Sequence, residues 1–152
     1  MGAMKEQQFQ TMWGEYLKTE GWHEAAVFEL KIEKTHRFLF SKVQPHQEQA
    51  LIDAETGLYH KIADSPIFSG QKTRFTAPKP FDTVYCKDMK GYVLLWYYVA
   101  RTKKICYAIE INDFIRIRNS WKMKSIKEEE LKKLRTEYSI VEIAFNEKRS
   151  TN

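Results

Sequence analysis

Apolar positions recur at helical spacing across residues 5–19, where Phe9, Trp13, Tyr16 and Leu17 share a stripe and Gly21 follows as a stop. Glu6 falls one turn before Phe9 on the same stripe. The period then changes. "AVFELKIEK", inside a strand predicted over residues 25–34, alternates, so an extended chain sends Phe28, Leu30 and Ile32 one way and Glu29, Lys31 and Glu33 the other. "THRFLFSKV", residues 35–43, leads into a second helix that Pro45 opens and Gly57 ends. From 58 to 79, Gly, Pro, Ser and Asp mix with scattered aromatics, which predicts a long irregular stretch of functional or mobile loop. "FDTVYCKDMKGYVLLWYYVA" reads as a hairpin turning near "KDMKG", and its apolar second arm reads as a central strand. "KKICYAIEINDFIRI" predicts a further strand ending near Ile111. Ser125 and Glu128 form a capping box for a helix over "SIKEEELKKLRTE", and "SIVEIAF" closes the order as a short strand. The succession is helix, strand, helix, hairpin, strand, helix, strand: an α/β arrangement without repeats or low-complexity tracts.

A chain of 152 residues suits one domain, and 43% hydrophobic with 30% charged residues marks it as globular. No apolar run approaches the roughly 18 residues of a membrane span, and no signal-peptide pattern opens the chain, so no membrane partner is expected. The leading "MGAM" reads as a cloning scar over residues 1–3, leaving residues 4–152 as a single domain. Cys86 and Cys106, 20 residues apart without a CxxC or a His-rich neighbour, suggest neither a disulfide framework nor a zinc site, which favours a reducing, cytoplasmic setting. The net charge of +5 is uneven: residues 101–135 hold 11 Lys/Arg against 5 Asp/Glu. A basic half on a globular domain points to a polyanion, nucleic acid above all, against the alternative of a merely solvated face.

There is no Gly-rich phosphate loop, GxSxG elbow or HExxH, and His23, His36, His46 and His60 lack ligand spacing. What remains is a set of acidic residues, a lysine and a glutamine-histidine cluster. "FELKIEK", followed by "VQPHQEQAL" at a helix start, resembles the ExK strand and succeeding helix of PD-(D/E)xK nucleases, in their Holliday-junction resolvase-like (RecU-like) branch. "GYVLLWYY" and "KKICYAIEINDFIRI" resemble later strands of that core, so the similarity covers roughly residues 5–60 and 91–118. It implies a restriction-endonuclease-like core: a mixed β-sheet flanked by helices, here with an inserted loop and hairpin around residues 58–91.

The resemblance also implies roles. Glu29 would be a ligand of Mg²⁺ or Mn²⁺, and Lys31 would steady the attacking water or the scissile phosphate. Gln47 would line the site from the helix, with His46 and Gln44 as neighbours, and Glu6 would match a helix-1 acid of resolvase members. The reaction would be metal-assisted phosphodiester hydrolysis on DNA, including branched DNA, by a homodimer. The chain departs from the family in one respect: no Asp lies between residues 5 and 52, so the motif Asp is missing before the ExK strand. Asp82, in "KPFDTVY", resembles that element in a permuted place and would be the second metal ligand. Arg116, Arg118, Lys122 and Lys124 cluster as phosphate contacts would.

Each residue has a plainer reading. Glu29 and Lys31 would form a same-face pair on a solvated strand, Glu6 a first-turn acid favoured by the helix dipole, His46 a polar helix-start residue, and Asp82 a turn cap after proline. The basic residues would form a solubilising face, while Trp96, Tyr97 and Tyr98 belong in the core. Three functions therefore compete. They are a metal-dependent endonuclease, a nucleic-acid-binding module with a degenerate site, and a protein–protein adaptor using "YHKIADSPIFSG" as a docking loop.

Overall fold

The computed structural model describes residues 5–63, 82–102 and 104–145, with backbone alone for 58–63, 82–84 and 86. Helix α1 (Glu6–Thr19) precedes strand β1 (Ala26–Glu33), the short β2 (Arg37–Leu39), a 3-10 turn and α2 (Pro45–Thr56). Strands β3 (Leu58–Ala63), β4 (Asp82–Cys86), β5 (Lys90–Tyr97) and β6 (Ile105–Glu110) follow. Helix α3 (Ile111–Ser120), β7 (Ser125–Lys127), α4 (Glu128–Lys133) and β8 (Ile140–Ala144) complete the order. The fold is α/β, with a mixed four-stranded sheet in the order β1-β5-β6-β8, a two-stranded β2-β7 sheet and a two-stranded β3-β4 sheet. β1 runs parallel to β5, and the other two pairs of the main sheet are antiparallel.

Alternation in β1 divides the core as its sequence requires. Phe28, Leu30 and Ile32 face α1, whose Phe9 and Trp13 pack there with Tyr92, Leu94 and Trp96 of β5. The ring contacts are edge-on: Trp13 stands 4.9 Å from Phe28, and Phe9 stands 5.1 Å from Trp96. On the other face, Val93 and Leu95 of β5 meet Leu51 of α2 and Phe114 and Ile117 of α3. β5 is buried from Gly91 to Tyr97, the central position its apolar run predicted.

Gly91 sets how closely α2 lies on the sheet. A Cβ built there would strike the backbone carbonyl of Leu51 and come within 2.7 Å of the Leu51 Cβ. Only a residue without a side chain lets the helix backbone settle at this depth. Leu51 and Gln47 are four residues apart on one stripe, so the depth fixed at Gly91 is passed one turn back to Gln47.

Four expectations are corrected. Residues 81–100 hold both strands of the expected hairpin, but β4 pairs with β3 and β5 pairs with β1 and β6. The "KDMKG" segment does turn, with Asp88 at φ 56°, yet its amides close the end of α2 instead: Asp88 N–H donates to Glu55 O and Met89 N–H to Ala54 O. Residues 58–63, expected as loop, form β3, and the remainder of that stretch to residue 81 lies outside the described residues. Strand β6 ends at Glu110, beside the expected Ile111, but the expected order had no helix directly after it: the Glu110 carboxylate accepts from the Asn112 and Asp113 amides and starts α3. Ile109 and Ile111 continue the alternation into a segment where Ile111, Phe114 and Ile117 already follow a helical period. Finally, Ser125 belongs to β7, and α4 starts at Glu128 with Glu130 accepting from the Lys127 amide.

At the end of β1, Glu33 is only 1% exposed. It accepts hydrogen bonds from the amide and hydroxyl of Thr35 at 2.8 and 2.7 Å and pairs with the Lys42 ammonium. Burial alone would raise the Glu33 carboxyl pKa; the bonds from Lys42 and Thr35, with the Lys42 charge, outweigh it and hold the group below the ordinary glutamate value.

Gly91→Ala is expected to destabilise the fold by about 1–3 kcal/mol in urea unfolding, because a packed helix backbone must move. Wild-type stability would contradict the close approach. For Glu33, a folded pKa below the unfolded one means that its stabilisation is complete above about pH 4.3 and is lost as pH falls through the folded value. The stability gap between wild type and Glu33→Gln should therefore narrow as pH falls below about 4.3. A gap that holds constant down to about pH 3 would contradict this.

Candidate functional site

Glu29 and Lys31 stand on the α2 side of β1, opposite Val93 and Leu95 of β5. β1 is the edge of the main sheet among the described residues. Two positions apart on one face, the side chains are neighbours, and Lys31 Nζ lies 3.1 Å from Glu29 Oε1. Both are mostly shielded, at 24% side-chain exposure for Glu29 and 17% for Lys31. This is not the solvated pair of the plainer reading.

The third member comes from α2. Gln44 is the N-cap, Pro45 and His46 follow, and Gln47 is the third helical residue. Its Oε1 accepts from the Gln44 backbone N–H at 3.0 Å, the reach-back of a capping box. That leaves its amide hydrogens for the sheet: Gln47 Nε2 donates to Glu29 Oε1 at 2.8 Å. The orientation of the carboxamide is thus set by the helix start. One carboxylate oxygen receives an ammonium and an amide from residues two and 18 positions away.

Among the described residues, Glu29 Oε2 has no hydrogen-bond or ion-pair partner, and no three or more His, Cys, Asp or Glu side chains gather as a metal-binding group. Mg²⁺ takes hard oxygens, commonly from one or two carboxylates with water and phosphate completing the shell. The donor chemistry of Glu29 fits a sparse site of that kind.

The remaining candidates lie around this cluster or away from it. His46 is exposed in the first turn of α2, beside Gln47 in sequence. Glu6 is exposed at the start of α1, and α1 packs on the opposite face of the sheet, so its stripe turns inward only at Phe9. Asp82 begins β4 in the separate β3-β4 sheet, and its side chain lies outside the described residues. The adaptor segment "YHKIADSPIFSG" enters β3 and then leaves the described residues.

The basic residues divide into two kinds. Arg116 pairs with Asp113 at 3.0 Å and sits 5.3 Å from the Tyr138 ring centre. Arg118 makes a two-pronged contact with Glu48 of α2. Lys122 and Lys124 are exposed after α3 and, among the described residues, make no ion pair. They line a hollow of about 700 Å³ beside the first turn of α2.

Sequence reasoning missed Glu48, which ties α2 to α3, and Lys42, the partner of Glu33. Glu48 is the neighbour of Gln47 on a helix start and so points to a different side, a signal available once Gln47 was placed. Among the described residues, no helix is long and apolar enough to cross a membrane. Cys106 is a free, buried thiol whose pKa is pushed up by burial. No protein-family model, curated protein or solved structure matches this chain.

A double-mutant cycle on Glu29→Ala and Gln47→Ala should return a coupling of about 1 kcal/mol in unfolding free energy, the size of one shielded charge-assisted bond. Additivity within about 0.3 kcal/mol would mean that the two side chains do not act on one another.

Proposed function

We propose that this chain is a metal-dependent endodeoxyribonuclease of the PD-(D/E)xK type with a restriction-endonuclease-like core, hydrolysing phosphodiesters in branched DNA. The observation that carries the reading is the meeting of Glu29, Lys31 and Gln47 at one carboxylate oxygen. Two of these residues lie on a strand and the third lies on the next helix, as the resemblance requires. A solvated strand pair has no need of a glutamine brought from a helix start.

Glu29 and Asp82 would hold the Mg²⁺ or Mn²⁺. The ion, when bound, supplies a water of lowered pKa and offsets charge on the scissile phosphate. Lys31 places a fixed ammonium at the same oxygen, where it can hold a phosphate oxygen or orient a water. Gln47 keeps the carboxylate aimed while its own amide is anchored to the Gln44 N–H. Partial exclusion of water around Glu29 and Lys31 strengthens each of these contacts over its value in bulk solvent. Symmetric cutting of a four-way junction calls for two copies of the chain.

A second reading, binding to nucleic acid without cleavage, is favoured by one specific observation. Lys31 and Gln47 both occupy Glu29 Oε1, and among the described residues no second carboxylate joins them. Such a module would bind in a salt-sensitive way without turnover.

Cleavage of a labelled four-way junction, beside duplex and single-stranded controls with Mg²⁺, Mn²⁺ or EDTA, separates the two. Metal-dependent product that falls at least about 100-fold in Glu29→Ala and in Lys31→Ala is expected, consistent with loss of a principal electrostatic contributor. Cleavage that survives both substitutions would refute the nuclease reading. Tight junction binding without product under any metal would establish the second.

A further inference from the structure

The first turn of α2 faces two ways: Gln47 reaches Glu29, and Glu48 holds Arg118 of α3. On the Glu48 side, a groove of about 700 Å³ opens between the residues before α2 and the 121–124 segment that follows α3. It is lined by apolar Phe40, Val43 and Pro45 and by Trp121, which packs half-buried against the core, with the exposed Lys122 and Lys124. A second hollow of about 450 Å³ is also lined by Trp121, Lys122 and Met123, here with Glu130 of α4. Trp121, Lys122 and Met123 therefore border both hollows, and Met123 is 53% exposed.

We propose that this groove binds a single-stranded polynucleotide, stacking an unpaired base on Trp121 and holding the adjoining phosphates with Lys122 and Lys124. The inference rests on the nucleic-acid reading above and adds the form of the strand and a second contact region. Charge selects the occupant. Arg118 and Glu48 cancel one another, and the two lysines, in no ion pair among the described residues, leave the groove with a surplus of two positive charges. Geometry selects the strand. Bases stacked in a duplex cannot present their faces to an aromatic wall, whereas an unpaired base can enter a concave apolar hollow while its backbone tracks a basic rim. Position agrees, because one turn of α2 links the groove to Gln47.

The test is fluorescence anisotropy with a labelled oligothymidylate and a duplex of equal length, in EDTA so that no cleavage intervenes. Trp121→Leu, which keeps apolar packing and removes the aromatic face, should weaken single-strand binding about tenfold or more, and Trp121→Phe should recover it to within about threefold of wild type. Duplex affinity should change less than twofold in either variant. Lys122→Ala/Lys124→Ala should lower the salt slope for the single strand by about 1.4, the loss of two phosphate contacts. If Trp121→Leu does not fold, the Phe variant and the lysine pair decide. Single-strand affinity within twofold of wild type in Trp121→Leu, or equal losses for single strand and duplex, would overturn the assignment. So would a poly-glutamate peptide that binds as tightly as the oligonucleotide and loses affinity in Trp121→Leu. The two proposals fail separately. Junction cleavage with an unaffected Trp121→Leu leaves the nuclease reading standing without the groove, and no cleavage with tenfold weaker single-strand binding leaves the groove standing without catalysis.

Discussion

The close approach of α2 to the sheet over Gly91 is the constraint on which the candidate site depends. A side chain there would collide with the backbone of Leu51, so the helix lies where it does because position 91 is empty beyond Cα. From that depth the rest follows in one helical turn. Gln47 is carried onto Glu29, and its carboxamide is turned the right way because the N-cap amide has claimed the other end. Glu48, rotated to a different side, reaches Arg118 and joins α2 to α3. A single small residue on a central strand thereby sets the position of a polar cluster that contains no residue of that strand.

The charged face of β1 is graded along its length. Val27 packs into the core, Glu29 and Lys31 pair under partial cover, and Glu33 is sealed in with Lys42 and Thr35. The last of these is structural: its donors are complete and its carboxyl is held ionised. The middle pair differs, because an oxygen remains without a partner among the described residues and the shielding is incomplete. A strand that places three charges on one face thus uses them for two purposes, and burial and partner count distinguish the two.

Much of this was legible in the chain. The alternation of β1, the Pro45 start and Gly57 stop of α2 and the apolar run of β5 each carry a local signal strong enough to survive folding. So does the pairing of "FELK" with "VQPHQ". Other features depend on tertiary choices that no short window contains. β4 and β5 look like hairpin partners because a turn stands between them, but β5 is buried on both faces and takes β1 and β6, while the turn amides satisfy the end of α2. Helix α3 was hidden because Ile109 and Ile111 prolong an alternation past the Glu110 cap. That Arg116 and Arg118 are paired while Lys122 and Lys124, among the described residues, are in no ion pair could not be read from a cluster of like charges, since the arginines' partners, Asp113 and Glu48, come from different distances along the chain.

On the proposed reading, Glu29, with Gln47 held upon it, is the centre that receives a divalent cation. Its most direct test is Mn²⁺-induced broadening in ¹⁵N spectra that resolve the side-chain amide of Gln47. The Gln47 amide signal should broaden at the lowest Mn²⁺ concentrations that affect any resonance, and Glu29→Ala should abolish this selectivity. Broadening that begins at exposed acidic residues elsewhere, with the Gln47 amide unaffected, would contradict it.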